Sequence, residues 1–200
     1  MIYKNCGDPI YLLSSSPRRI ELLRNTGIDF EIIHPLGEDL EFKFKSPRYY
    51  VEKKALNKLM VTLKEKNLKE GAYIAADTIV FRKKKIYEKP SDEKEAILIL
   101  KELEGKWHSV FTAYCIAIPS KDVMILKSVR TYVKFKKMKM KEIENYVATK
   151  EPLDKAGAYA IQGYGLFMIE KIEGSYTNVV GLPLSEVISD LLKLNLIKPK

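Results

Sequence analysis

The sequence predicts an α/β fold. Short apolar, β-like runs alternate with helical stretches along the chain, with no internal repeat or low-complexity linker between them. A Ser-Pro helix-start signal occurs at Ser16-Pro17 and again at Ser46-Pro47. The composition, 46% hydrophobic and 30% charged over 200 residues, is that of an ordinary globular chain. A chain of this size buries roughly 70% of its unfolded surface, enough for one full core. It reads as one domain over residues 1–200, or two half-size lobes sharing a sheet.

The elements follow in order. Ile10 to Ser14 reads as a strand running into Ser15-Ser16-Pro17, where Ser16 can cap a helix and Pro17 can take its first position. That helix covers Arg18 to Thr26 and stops at Gly27, and Ile28 to His34 alternates like a second strand. After an acidic loop, Tyr50, Val51, Ala55, Leu59 and Leu63 form the apolar stripe of a helix reaching about Asn67. Tyr73 to Phe81 is a strong strand, and the basic tip at residues 82–85 returns through Ile86 and Tyr87 as a hairpin. Ser91-Asp92-Glu93 starts a helix that ends near Gly105. Trp107 to Ile118 and Val123 to Phe135 are two long antiparallel strands joined by a turn at Pro119 to Asp122. A helix covers Lys141 to Thr149, and after mixed loop and strand Leu184 to Leu194 closes the chain as a helix.

Thirty-five Lys and Arg against twenty-six Asp and Glu leave +9, which biases the surface toward anionic partners such as nucleotides, nucleic acid or acidic lipid. Most of the surplus is lysine scattered through every segment. That reads as solvated surface ahead of a nucleic-acid footprint, and since no helix is loaded on one face with Arg and Lys and no aromatic-basic interleaving occurs, nucleic-acid binding ranks last among the functional readings. No apolar run reaches the length of a membrane span or a signal peptide core. Cys6 and Cys115 stand far apart in no metal or redox spacing, as suits a reducing cytoplasm. With His34 and His108 as the only histidines, a zinc site of the usual ligands cannot be assembled, and any metal would be held by oxygen.

Six segments can carry chemistry. Ser14-Ser-Ser-Pro-Arg-Arg19 places hydroxyls and two guanidiniums where a strand ends and a helix begins, an anion-binding arrangement or simply an N-cap with two surface arginines. Ala75-Ala76-Asp77-Thr78 puts a carboxylate into an apolar strand. A buried carboxylate must hold a metal, a cation or a proton, unless a bulge or strand end lets it cap something local. Glu88-Lys89-Pro90 pins Lys89 just before a helix, toward a site or merely in an exposed turn. Glu151-Pro-Leu-Asp-Lys-Ala-Gly-Ala-Tyr-Ala-Ile-Gln-Gly163 sets Asp154, Lys155 and Gln162 among small residues, either for close approach of a ligand or to tighten a loop. Gly174-Ser-Tyr-Thr-Asn-Val-Val-Gly-Leu-Pro183 has the same character, or is a turn joining strand to helix. The acidic stretch Glu38-Asp39-Leu40-Glu41 offers hard oxygen ligands for Mg²⁺ or Mn²⁺, or is a solvated loop.

In their order, Ser-x-Ser-Pro-Arg-Arg, Ala-Asp-Thr, Glu-Lys-Pro, the long fourth motif and Val-Val-Gly-Leu-Pro-Leu resemble the Maf family over nearly the whole chain. The resemblance implies a mixed, twisted β-sheet flanked by helices, like that of the inosine triphosphate pyrophosphatases, with two lobes around a central cleft. It implies a cytoplasmic nucleoside triphosphate pyrophosphatase that cleaves between the α and β phosphates with a divalent cation, Mg²⁺ or Mn²⁺. It is also consistent with a homodimer.

On this resemblance Asp77 is the catalytic acidic residue, a general base or metal ligand for the attacking water. Ser16 and Arg18 match the phosphate-binding start, and Arg19, Lys58, Lys89 and Lys155 supply positive charge around the triphosphate. Arg18, Thr78 and Gln162 match the dTTP- and UTP-hydrolysing branch. The branch acting on 7-methyl-GTP carries Trp in the Ser-Pro-x-Arg motif and Glu in place of the glutamine. Where the family usually reads Asp-Glu after the second strand, this chain has Glu38-Asp39, so the metal carboxylate is one methylene shorter or comes from Glu38. The competing expectation is a non-catalytic protein that regulates septum formation through a protein partner.

Overall fold

The computed structural model describes residues 2–36 and 45–200, so the expected metal ligands Glu38 and Asp39 lie outside the described residues. In chain order the elements are β1 (Tyr3–Asn5), β2 (Ile10–Leu13), α1 (Pro17–Arg24), β3 (Glu31–Ile33), α2 (Pro47–Glu65), β4 (Ala72–Arg82), β5 (Lys85–Tyr87) and α3 (Glu93–Leu103). They continue with β6 (Trp107–Ile118), β7 (Val123–Phe135), α4 (Met140–Ala148), β8 (Ile169–Glu173), α5 (Tyr176–Val180), α6 (Leu184–Lys193) and β9 (Ile197–Pro199). Three short 3₁₀ segments, Glu151–Asp154, Ala156–Ala158 and Gly163–Met168, fill the stretch between α4 and β8. This is the expected mixed α/β fold: β2 is parallel to both β3 and β4, whereas β5 and β8 pair antiparallel with β4 and β7. Among the described residues no helix is long and apolar enough to cross a membrane.

The chain divides into two compact units. The first comprises residues 1–77, 112–129 and 181–200, with strand order β3-β2-β4-β6-β7. Its core is built on the even-numbered residues of β4. Ala72, Ile74 and Ala76 join Ile10, Leu12, Tyr114, Ile116 and Ile118 against Leu23 of α1 and Val187, Ile188 and Leu191 of α6. Because strand side chains alternate, the odd-numbered residues of β4 point to the other face, where α2 lies with Val51, Ala55 and Leu59 buried. A separate antiparallel pair, β1 with β9, ties the two ends of the described chain together.

The second unit comprises residues 78–111 and 130–180, with β5 on β4 and then β6, β7 and β8. Its core gathers Val80, Val110, Val133 and Phe135 from the strands with Ile99, Leu100 and Leu103 of α3 and Ile143, Tyr146 and Val147 of α4. The basic tip makes a two-residue turn in which Lys83 and Lys84 both take positive φ, 47° and 68°. Asp92 caps α3 by accepting the Glu95 N–H at 2.8 Å.

Several boundaries differ from the sequence expectation for definable reasons. The strand expected over 28–34 forms only at Glu31–Ile33. Residues just before it are held instead by Asn5, whose side chain donates to the Asp29 carbonyl at 2.8 Å and accepts the Asp29 N–H at 3.1 Å. The turn expected in the Gly174–Pro183 motif contains the five-residue helix α5. The strands β1 and β9, three residues each, have no periodicity to read; only their pairing with one another makes them strands.

His108 is a core residue of the second unit, 3% exposed. Its Nε2 lies 2.9 Å from the Tyr159 hydroxyl, and its ring packs edge-on to Phe135 and Tyr159. Burial pushes the imidazole down to about 3. Between that value and the ordinary 6.5 the unfolded chain binds a proton that the folded chain refuses, so stability is complete above the higher value and is lost as pH falls through the window. From about pH 7.5 to about pH 5 the wild type should lose about 2 kcal/mol of unfolding free energy through this residue. His108→Gln, which keeps a polar partner for Tyr159, should start lower and stay flat over that range. Urea titrations at a series of pH values check this, and equal slopes in the two proteins would refute it.

Candidate active site

The topology of the first unit creates an edge suited to an anion. The chain steps from β2 to β3 on one side and then crosses to β4 on the other, so the strand order β3-β2-β4 reverses direction at β2. In parallel sheets the crevice beyond the carboxyl ends of the strands at such a reversal is where ligands bind. Register pairs Leu13 with Ala75. The Ser14-Ser15-Ser16 turn therefore leaves β2 at the level where β4 reaches Asp77, and α1 begins there with Pro17 in its first turn. The N-terminus of α1 thus lies at this edge, with its dipole favouring negative charge.

The serines divide their tasks differently from the expectation. Ser16 is the N-cap residue, but its side chain makes no capping hydrogen bond. The hydroxyl that tightens the turn is that of Ser14, which accepts the Ser16 N–H at 3.1 Å. Ser14 is buried and turned back into the protein, whereas Ser16 keeps its hydroxyl out of the cap. Ser15 Oγ lies 3.3 Å from Nδ1 of His34, just beyond β3.

Asp77 projects from the α2 face of β4, where Lys58 Nζ donates to its Oδ1 at 2.9 Å and to the Ala76 carbonyl at 3.2 Å. The two side chains are 17% and 25% exposed, so the pair is mostly but not wholly removed from water. Burial pushes the Asp77 carboxyl up, but Lys58, Arg19 and Lys54 outweigh it and hold the group below the usual carboxylate range. Burial lowers the Lys58 ammonium despite the attraction of Asp77, and it lowers the Arg19 guanidinium likewise. Lys58 is itself fixed by its helix: the buried Thr62 hydroxyl donates to the Lys58 carbonyl at 2.7 Å and accepts the Leu36 N–H at 2.8 Å. Arg19 is anchored by its Nε, which donates to the Gly181 carbonyl at 2.6 Å and so links the first motif to the last. The first unit therefore brings Ser16, Arg18, Arg19, Lys58 and Asp77 to one edge. Sequence reading passed over Lys54, although its place one helical turn before Lys58 signals a shared face.

The second unit holds Thr78, Lys89, Lys155 and Gln162. Thr78 follows Asp77 directly and therefore points to the opposite face of β4, toward the side of Val80. The Glu88 carbonyl accepts the Gly157 N–H at 3.0 Å, joining the Glu-Lys-Pro segment to the fourth motif. Gly157 needs to be glycine twice over: its φ is +71°, and a Cβ would come within 2.7 Å of Val80. Lys89 is exposed, and Lys155 pairs with the Asp154 carboxylate. Gln162 is half-buried and precedes the 3₁₀ turn Gly163–Met168.

A family model described as Maf-like protein matches residues 9–194. The chain belongs to the Maf family. Among curated Maf relatives, one from Thermosipho africanus is 48% identical over 178 residues, 89% of each chain. One from Caldicellulosiruptor bescii is 44% identical over 188 residues, 92% of this chain and 94% of the relative. One from Geobacter sulfurreducens is 42% identical over 186 residues, 92% of this chain and 96% of the relative. Each of the three is named dTTP/UTP pyrophosphatase.

The Maf resemblance implies a divalent cation, and the donor set can be tested against one. Among the described residues no three His, Cys, Asp or Glu side chains gather as a metal cage. A hard cation that keeps several waters and binds through one or two carboxylates plus substrate phosphates needs no cage. Asp77, whose Oδ1 takes one lysine, fits that mode.

Arg19→Lys tests the anchoring. Lysine keeps the charge but has no Nε fork, leaving the buried Gly181 carbonyl without this donor. An unfolding free energy lower by about 1–3 kcal/mol is expected in urea titration, and an unchanged midpoint would show that the bond does no structural work.

Proposed function

We propose that this chain hydrolyses dTTP and UTP between the α and β phosphates, releasing the nucleoside monophosphate and pyrophosphate. The observation that carries the reading is the paired Asp77 carboxylate, midway along β4 and just beyond the carboxyl end of β2, beside the α1 N-terminus and the cations Lys58 and Arg19. The names of the curated relatives support the same reaction and the same two substrates.

In this reaction a water oxygen adds to one phosphorus of the α–β bridge, the bridging P–O bond breaks, and the water's proton leaves to solvent or to the departing phosphate. The chemistry asks for a group that orients the water and for positive charge where negative charge accumulates. Asp77 orients the water: held below the usual carboxylate range, its carboxylate is a strong hydrogen-bond acceptor but a poor proton acceptor. That favours the positioning and ligand role over the general-base role. Lys58, Arg19, Lys89 and Lys155 offset phosphate charge, and Ser16 with the first turn of α1 receives a terminal phosphate oxygen. Arg18, Thr78 and Gln162 select the base, the Gln162 amide offering one donor and one acceptor to the edge of a pyrimidine. Asp77, with Glu38 and Asp39, would hold the divalent cation. When bound, the cation supplies charge stabilisation at the bridging and non-bridging oxygens. The proposed setting is the cytoplasm, acting on free nucleotides.

The test is a panel of dTTP, UTP, CTP, dATP, GTP and 7-methyl-GTP with Mg²⁺ or Mn²⁺, products resolved by chromatography. Monophosphate and pyrophosphate should form from dTTP and UTP, cease with EDTA, and fall about 100-fold or more in Asp77→Asn at unchanged circular dichroism. Preference for 7-methyl-GTP would overturn the specificity residues. Survival of every nucleotide with folded protein would overturn the activity.

A further inference from the structure

Gln162 is proposed to read the base, yet its amide is ambiguous: turned one way it matches a uracil edge, and turned the other way a cytosine edge. Either match is made only if the backbone carrying Gln162 sets the amide at the right place against the base. That backbone lies in no strand or α-helix. It is held on both sides of Gln162 by one side chain and its partner.

The Glu151 carboxylate accepts the Tyr164 N–H on Oε2 at 3.1 Å and the Gly165 N–H on Oε1 at 3.0 Å. Its Oε1 also accepts the Tyr146 hydroxyl at 2.9 Å, and that hydroxyl accepts the Ala160 N–H at 3.2 Å. Residues 160, 164 and 165 are thus tied to a single carboxylate, directly or through one phenol, and Gln162 stands between them. The sequence around the clamp is shaped to it. Gly163 has φ +64°, and a Cβ there would strike the Glu151 carboxylate. A Cβ at Gly165 would strike the Ala160 carbonyl and come within 2.9 Å of the Tyr146 hydroxyl. Glu151 is in turn seated by its own N–H, which donates to Thr149 Oγ1 at 3.2 Å. Upstream, Tyr159 is fixed by His108.

We infer that Glu151, acting with Tyr146, is a positioning residue for base selection: it fixes the 160–165 turn and with it the place from which Gln162 reaches the base. The inference rests on the proposed pyrimidine nucleotide activity and on the base-reading role of Gln162. Glutamine at 151 keeps the size but turns an NH₂ toward N–H donors, so at most part of the clamp survives. Tyr146→Phe removes only the bridging hydroxyl and keeps the ring in the core.

The experiment compares kcat/KM for dTTP and CTP in the wild type, Glu151→Gln, Tyr146→Phe, Gln162→Ala and the double variant Glu151→Gln/Gln162→Ala. In Glu151→Gln the dTTP-over-CTP ratio should fall about tenfold, and in Tyr146→Phe by a smaller factor in the same direction. In the Gln162→Ala background, Glu151→Gln should change the ratio by less than about twofold, because its effect passes through the glutamine. A merely structural role would lower turnover of both substrates equally and leave the ratio alone, and that result in folded variants overturns the inference. So does a loss of ratio that adds fully to that of Gln162→Ala. Calorimetric binding of dTMP and dCMP reads the same preference without turnover. A wild type that binds dTMP over dCMP but hydrolyses neither triphosphate overturns the activity while leaving the clamp open to the same variants; one that binds neither overturns both.

Discussion

Parallel pairing is the constraint from which the candidate site follows. Two neighbouring strands that run the same way cannot be joined by a tight turn, so the chain must return through a crossover between them. β2, β3 and β4 are mutually parallel through β2, and α1 and α2 are the crossovers. Since β3 and β4 lie on opposite sides of β2, the helices cover opposite faces. The start of α1 and the outward half of β4 meet at the edge where the direction reverses because the register puts Leu13 level with Ala75. A Ser-Ser-Ser-Pro turn and an Ala-Asp-Thr strand sixty residues apart in sequence become one site through this geometry.

Two buried aspartates in the first unit show how charge placement separates structure from chemistry. Asp190 of α6 is 1% exposed, accepting the Tyr114 hydroxyl at 2.7 Å and Lys127 Nζ on both oxygens. Its acceptor capacity is spent within the protein, and the group serves to join α6 to β6 and β7. Asp77 is more exposed and takes a single lysine on one oxygen, with further cations close enough to depress its proton affinity. Several cations are thus gathered around this one carboxylate. They suit a site that receives several negative charges at once.

How much of this is legible in the sequence depends on whether the cause is local. The Ser-Pro helix starts, the Asp92 cap and the Lys83-Lys84 hairpin tip are set by side chains within a few residues, and the corresponding elements stand where the pattern puts them. β1 and β9 are created by partners almost two hundred residues apart, and the missing first half of the strand before His34 is the work of Asn5. The same division runs through the site. That Asp77 interrupts an apolar strand is visible as a break in pattern; that Lys58 answers it is visible only once α2 lies across that face. Ser16 looked like a capping residue because the position is right, but which of three adjacent hydroxyls turns inward is decided by Ser14's burial.

The second unit poses a different physical problem. Its fourth motif is rich in small residues, and small residues bury too little apolar surface to hold a backbone in place. Regular secondary structure would solve this with a ladder, but the turn carrying Gln162 lies in no strand or α-helix. Hydrogen bonds from backbone N–H groups to a side-chain carboxylate are the remaining means, and they are stronger than those between neutral groups. Glu151 supplies them to the turn carrying Gln162, while the Glu88 carbonyl and the Val80 side chain do the equivalent for Gly157. The glycines and the polar residues of the motif are therefore two halves of one device: the first let the chain come close, and the second keep it still.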